Sequence, residues 1–536
     1  MAAEGIPQPA DEGVATKQPV REQLHIAVAM EILLGHAAGL FLAVASCYVI
    51  WHCSYAFTLS PLRKVPGPCL ARITTLRAIR NRFPKNVIRA ALSDFAKYGD
   101  IYISRPDTVT ICNPNDVRTV LGARNSCKLD IYQGLQDPVL KNLVTFSCPQ
   151  LASQRRRQIS PFLNSQGYLA QMEATVLEHG AASLTAKWDA QLAKTDKAEI
   201  NYRHDTQLAT FSIMSALAFG RNISDQGNGS IIVDWIAATA IYVGISINFK
   251  ALLRFPLSLL IKPWLGNYRD FVRFGEESVA QRKHAIAAGA LKDGTSKDML
   301  QAFIDAEEPD SKVKMTSTEV QAESVGMQLA GSETTSASLT WALHLFTLYP
   351  EALKRATNEV RAQFDGTSLI RYSDCRSKLP FLESFIYETF RYAPITSGFM
   401  PRILPKGLEL QGHCIPPGTK IAFNLIALNN RTDVWDQPER FIPDRFIDDE
   451  EGRRNVFAFS YGPRNCIGRN LAWMEIMTIL ANLLLRYEIA PPDDAVYGPH
   501  NVDDKGIPRL MESQCHIVFA PVHPDRDCRI IISRRR

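Results

Sequence analysis

The residues most able to do chemistry gather in the last third of the chain. Residues 459–468 (FSYGPRNCIG) form a turn-rich loop that runs straight into an apolar segment, 471–485, whose composition suits a buried helix. Cys466 then stands at that helix's N-terminus, where free backbone N–H groups and the positive end of the helix dipole favour thiolate over thiol. Gly462 and Gly468 flank it, and without Cβ atoms they let backbone and a flat ligand approach the sulfur. A single thiolate between two glycines suits an axial ligand to haem iron, whose chemistry with dioxygen is driven by electron donation from sulfur. For an isolated cysteine in a Gly-Pro turn, an inert buried thiol is the default; four fixed positions around Cys466 argue against it.

Three weaker patterns lie nearby. Glu388 and Arg391 are spaced i, i+3 within 381–392, a pairing also common on solvated helix faces. Residues 330–335 (AGSETT) interrupt a long helical stretch with a glycine and two threonines, which by themselves suggest only a local kink. Residues 438–446 (PERFIPDRF) follow downstream. Taken with Phe-x-x-Gly-x-Arg-x-Cys-x-Gly, matched at Phe459, Gly462, Arg464, Cys466 and Gly468, the set resembles the cytochrome P450 family, specifically its membrane-anchored microsomal type. The resemblance implies haem b with Cys466 as the axial iron ligand and Phe459 packed near the sulfur. It also implies a Glu388–Arg391–Arg445 network that ties two distant segments together and serves the fold. On the distal side, Gly331 would open the helical ladder to make room for dioxygen. Thr334 would order a water there, and Glu333 would deliver protons from the solvent side. Arg464 and Arg402 match positions that bind the haem propionates. The family's Trp-x-x-x-Arg motif is altered in 152–161 (ASQRRRQISP): aligning Ser160 and Pro161 puts Arg156 at the arginine but Ala152 at the tryptophan. That removes one donor and leaves Arg155 and Arg157 as alternatives to Arg156.

These residues need a large scaffold. The chain has 536 residues, 46% hydrophobic and 21% charged, a globular composition. A net charge of +5 spread over that length excludes a dedicated nucleic-acid binder. Eleven cysteines without a Cys-x-x-Cys pair argue against a disulfide framework or a zinc ribbon. The resemblance runs from Pro66 to about Pro521, which implies one mainly α domain with small β-sheets in place of the several domains that length suggests. Ahead of it, 1–23 reads as a disordered lumenal tail and 24–60 as a transmembrane anchor, leaving 61–536 as the haem domain. The anchor's helix is expected at about 32–51, a run without ionised side chains long enough to cross roughly 30 Å of hydrocarbon. A cleaved signal peptide is the alternative, but the apolar run is long and no basic segment sits directly before it. Before the run, Lys17 and Arg21 are outnumbered by Glu4, Asp11, Glu12, Glu22 and Glu31, whereas Arg63, Lys64, Arg72, Arg77 and Arg80 follow it. The positive-inside rule then places the catalytic part in the cytosol. Pro66 and Pro68 make the connection a stiff, extended hinge.

Further expectations follow from the resemblance. Electrons would come from NADPH through a membrane-bound NADPH–cytochrome P450 reductase, with cytochrome b5 as a second donor, because no Gly-x-Gly-x-x-Gly follows a strand in this chain. Arg453, Arg454, Arg464 and Arg469 would offer an electropositive docking face. The substrate would be a lipophilic small molecule entering near the apolar stretch 231–265 and lined by 129–143, Met327, Ala330 and 395–400. The general style is similar to fungal secondary-metabolite P450 monooxygenases on an endoplasmic reticulum membrane. Sequons at Asn222, Asn228 and Asn430 would stay unmodified in the cytosol. A P450 that rearranges, desaturates or couples substrates without net oxygen insertion, and a non-catalytic haem-binding sensor, are the alternatives.

Overall fold

A computed structural model describes residues 18–535 except 82–83, 130–140, 222–233, 236–237, 240–241, 243–244, 247–249, 290–297, 397, 399–400 and 516–517. Residues 130–140 of the expected pocket segment 129–143, parts of the expected substrate segments 231–265 and 395–400, the sequons at Asn222 and Asn228, and the first seventeen residues of the tail lie outside the described residues. The chain divides into two units, Met1–Lys64 and Val65–Arg536.

In the first unit, helix α1 runs Gln18–Ser54 and passes into a π-helical turn, Tyr55–Leu59. The helix therefore starts earlier than the expected anchor, inside the segment read as a disordered tail. The physical reason is local: residues 20–34 contain no glycine or proline and are rich in helix formers, while Pro19 occupies the first turn, where its missing N–H costs nothing. Met30–Leu59 is the stretch long and apolar enough to cross a membrane, with a mean hydropathy of 1.9, and Leu33, Leu34, Leu40 and Phe41 on it are all exposed.

The second unit is mainly helical. Helices α2 (Pro149–Asn164), α3 (Tyr202–Phe219), α4 (Ser317–Leu348), α5 (Pro380–Tyr392) and α6 (Arg469–Arg486) carry the residues of interest. Helix α6 is buried from Trp473 to Leu485, a mostly apolar segment that also carries Glu475, Thr478 and Asn482 into the core, and α3 packs along α4. The start of α4 is set by a capping box between Thr316 and Glu319. A five-stranded sheet is made of β1 (Ile101–Arg105), β2 (Thr108–Ile111), β3 (Cys127–Lys128), β4 (Arg402–Ile403) and β5 (Lys420–Phe423), in the order β1-β2-β5-β4-β3. Smaller sheets pair Arg529–Arg534 with both Lys197–Asn201 and Tyr487–Ala490, and Leu408–Leu410 with His413–Ile415. The Pro66–Pro68 segment docks on β1: Ile103 N donates to Pro66 O at 2.8 Å. A Cβ on Gly67, at φ +150°, would lie 2.9 Å from that same nitrogen, so only glycine permits the approach.

Candidate functional site

The cysteine loop is closed by its own backbone. Cys466 N donates to Phe459 O (2.8 Å) and Asn465 N to Gly462 O (3.1 Å), and α6 begins at Arg469 with Gly468 as its N-cap. Gly462 has φ +73°, and a Cβ there would stand 2.2 Å from Leu121 O. A neighbouring helix end therefore requires glycine at this position. At Gly468 an added Cβ would meet no protein atom within 4 Å, so the space beside it is open. Phe459 stands edge-on to Phe390 of α5, with ring centroids 5.5 Å apart, and beneath the Arg469 guanidinium at 5.7 Å.

Cys466 combines two properties. Its side chain is exposed, yet it is surrounded by enough protein that burial is the leading cause raising its pKa above the ordinary thiol range. The Gly468 N–H and the charges of Arg156, Arg469 and Lys128 act the other way without overcoming it.

The charges of Arg156, Arg469 and Lys128 act on this thiol, and those of Arg464 and Arg402 act in turn on Lys128. Arg156 of α2 donates to Asn465 O (2.8 Å) and Asn465 Oδ1 (2.5 Å), which places it on the cysteine loop. Its neighbours go elsewhere: Arg155 pairs with Glu319 and lies 3.5 Å from Glu323, and Arg157 pairs with Glu308 (2.6 Å) and Asp310 (2.8 Å). Arg464 donates to Phe146 O (2.8 Å) and Leu143 O (3.2 Å). Arg402 is buried on β4, directly opposite Lys128 on β3. Lys128, a residue the sequence reading missed, donates to Val144 O at 2.8 Å. Burial, then the charges of Arg464, Arg402 and Arg156, push its ammonium well below the ordinary lysine range. Nothing in the local sequence marks Lys128, because only strand pairing brings it to Arg402.

The expected structural network is present in full. Arg391 grips Glu388 through Nε and Nη2 (both 2.7 Å), and Arg445 Nε adds a third bond at 3.1 Å. Glu388 also accepts from Ile442 N (2.8 Å), while Arg391 reaches the carbonyls of Asn429, Pro438 and Arg440.

The α4 residues are arranged otherwise than expected. The helix continues without a break through Gly331, where a Cβ would lie 2.6 Å from Met214 Sδ of α3. Glycine here allows two helices to approach closely. Glu333 is held by Arg203 (2.5 Å) and Gln207 (3.3 Å), both on α3, whereas the Thr334 hydroxyl donates to Ala330 O at 2.6 Å. Glu333 and Thr334, at adjacent helix positions, point in different directions. Ala330 is exposed although the two preceding turns of α4 are buried, and it shares a face with Thr334. Met327 lies in the apolar core.

A family model described as Cytochrome P450 matches residues 65–503. Cytochrome P450 monooxygenase helB2 of Aspergillus fumigatus is 59% identical over 493 residues, covering 90% of this chain and 96% of that protein. Cytochrome P450 monooxygenases helB1 and helB3 of the same fungus are 46% and 42% identical, covering 90% and 92% of this chain and 83% and 97% of their own lengths.

Proposed function

Since the chain belongs to the cytochrome P450 family of monooxygenases, we propose that Cys466 is the axial ligand of a haem b iron and that Lys128, Arg156, Arg402 and Arg464 bind the haem propionates. The observation that carries this reading is the pairing of Lys128 with Arg402. Strand pairing brings two basic side chains to one place, and with Arg464 and Arg156 near enough to act on Lys128 they concentrate positive charge that complements carboxylates. A flat group with a metal centre for the thiol and two carboxylates for the cations fits that donor set, as do the exposed Cys466 and the open space beside Gly468. Haem ligated by thiolate supplies the activation of dioxygen for insertion into an unactivated bond.

The chain's own groups have simpler tasks. Arg156 braces the cysteine loop through Asn465, and Phe459 packs beside it. Thr334 Oγ1, its proton committed to Ala330 O, keeps lone pairs with which to hold a water on the accessible face of α4. Glu333, bonded to Arg203, also ties α3 to α4, and from there it would deliver protons from the solvent side. A lipophilic substrate, of the kind made in fungal secondary metabolism, is supported by the exposed Phe255, Leu259 and Leu260, an apolar surface suited to contact with lipid. The apolar helix Met30–Leu59 supports single-pass attachment to the endoplasmic reticulum, with the catalytic unit in the cytosol. A membrane-bound NADPH–cytochrome P450 reductase, and cytochrome b5, would then supply electrons.

Purified full-length enzyme, reconstituted with reductase and NADPH, is expected to oxygenate a lipophile and to show the carbonyl-complex absorption of thiolate-ligated haem. Cys466→Ala is expected to abolish both while leaving the fold. Lipophile binding spectra without NADPH consumption would overturn the reading in favour of a haem-binding sensor.

A further inference from the structure

The turn at residues 142–146 is gripped from several sides. Asn142 braces it internally, accepting from Val144 N (3.0 Å) and Thr145 N (3.2 Å), while its amide donates to Ala322 O of α4 (3.2 Å). On one side, both carboxylate oxygens of Glu323, also on α4, accept from Leu143 N (3.0 and 3.2 Å). On the other, Arg464 takes the carbonyls of Leu143 and Phe146, and Lys128 takes that of Val144. Leu143 is therefore held by its N–H from α4 and by its carbonyl from the residue two before Cys466. Glu323 is 1% exposed, and its nearest guanidinium, that of Arg155, lies 3.5 Å away. Most of what the carboxylate touches at bonding distance is thus the turn.

We propose that Glu323 is a positioning residue for Arg464: by clamping Leu143 N–H it sets where the Leu143 and Phe146 carbonyls stand, and with them the guanidinium that faces the haem propionates. A turn with several tight backbone bonds moves as a unit, so losing the clamp on one side displaces acceptors on the other. Glu319 provides an internal contrast, since it also pairs with Arg155 but bonds the backbone at Thr316 instead of the turn.

The inference rests on the proposed haem site, and its test separates the two. Haem transfer from the full-length holoenzyme to apomyoglobin is followed for wild type, Glu323→Leu, Glu323→Asp, Glu323→Gln and Glu319→Gln, each with Arg464 and with Arg464→Lys. Removing the acceptor (leucine) or withdrawing it by one methylene (aspartate) is expected to speed transfer about fivefold, within the usual range of coupling between groups in one network. Glutamine, which still offers an oxygen to Leu143 N–H, and Glu319→Gln are expected to stay near the wild-type rate. In the Arg464→Lys background, which cannot span both carbonyls, the leucine and aspartate effects should vanish. Aspartate keeps the charge and serves alone if the leucine variant does not load haem. Additive effects in the two backgrounds, or a glutamine variant as fast as leucine, would overturn the proposal. Absence of a thiolate-type carbonyl spectrum in wild type would instead overturn the haem assignment beneath it.

Discussion

Two clusters of buried charge lie within the same unit and differ in how they are completed. Around Glu388 a carboxylate is enclosed by two guanidinium groups whose other nitrogens end on peptide carbonyls. Around Cys466, four cations stand close enough for three of them to depress the fourth, and Lys128, Arg156 and Arg464 donate to carbonyl and amide oxygens. The first cluster is built around its own counter-charge, Glu388, and ties α5 to the segment that contains Arg445. The second concentrates positive charge near an exposed thiol, which suits the anionic ligand proposed for it. A buried cluster built around a carboxylate ties segments together, whereas the cations near Cys466 are the ones proposed to hold a ligand.

The sharpest way to break this contrast is Glu388→Ala. It strands two buried guanidinium groups and is expected to cost about 3–5 kcal/mol, so little folded, haem-loaded protein should be recovered. Normal yield and thermal unfolding would mean the cluster is not what holds these segments.

Glu323 stands between the two cases, since one guanidinium lies 3.5 Å from it and burial pushes its carboxyl from 4.5 up to about 7. The charged and titratable groups facing it are Arg155 of α2 and Glu319 of its own helix. A raised carboxyl pKa means that the folded state holds its proton more tightly. Its contribution to stability is complete below about pH 4.5 and is lost as pH rises through about 7. Buried His344, held down to about 3 by burial, runs the opposite way, losing its contribution as pH falls below about 6.5. Subtracting the unfolding free energy of Glu323→Gln from that of wild type isolates Glu323. The difference should decline by roughly 2–3 kcal/mol between pH 4.5 and 7, and a flat difference would contradict the burial of this acid.

The smallest effect is expected from Lys128→Met. Replacing a buried cation with an apolar side chain of similar length should leave the haem-free protein unchanged or more stable by about 1 kcal/mol. Haem dissociation should accelerate about tenfold, as a charge-assisted bond is lost. Loss of stability in the haem-free protein would place Lys128 with Glu388, as architecture.

Legibility in the sequence followed the range of the interaction. The cysteine loop, the helix after it and the Glu388–Arg391 pair are local patterns, and the structure has them where spacing put them, with Arg445 joining as the resemblance implied. The triplet at 155–157 left three candidates, because successive helix positions differ by a rotation whose outcome depends on the neighbours. Packing sends only Arg156 to the cysteine loop. Gly331, Glu333 and Thr334 match a motif letter by letter, and the contacts that the first two make with α3 could not be read from it. Lys128 and Glu323 carry no motif at all.

The sequence by itself determined the family, the thiol at the head of α6, the mainly helical class and the apolar amino-terminal helix, because each rests on residues near one another along the chain. Which cations surround that thiol, which face of α4 stays accessible and which turn links α4 to the cysteine loop were decided by tertiary structure. Those depend on segments hundreds of residues apart, such as Lys128 with Arg402 and Leu143 with Glu323 and Arg464. A side chain's charge is written in the sequence, but the company that makes it a ligand or a strut is set by how distant backbones pair.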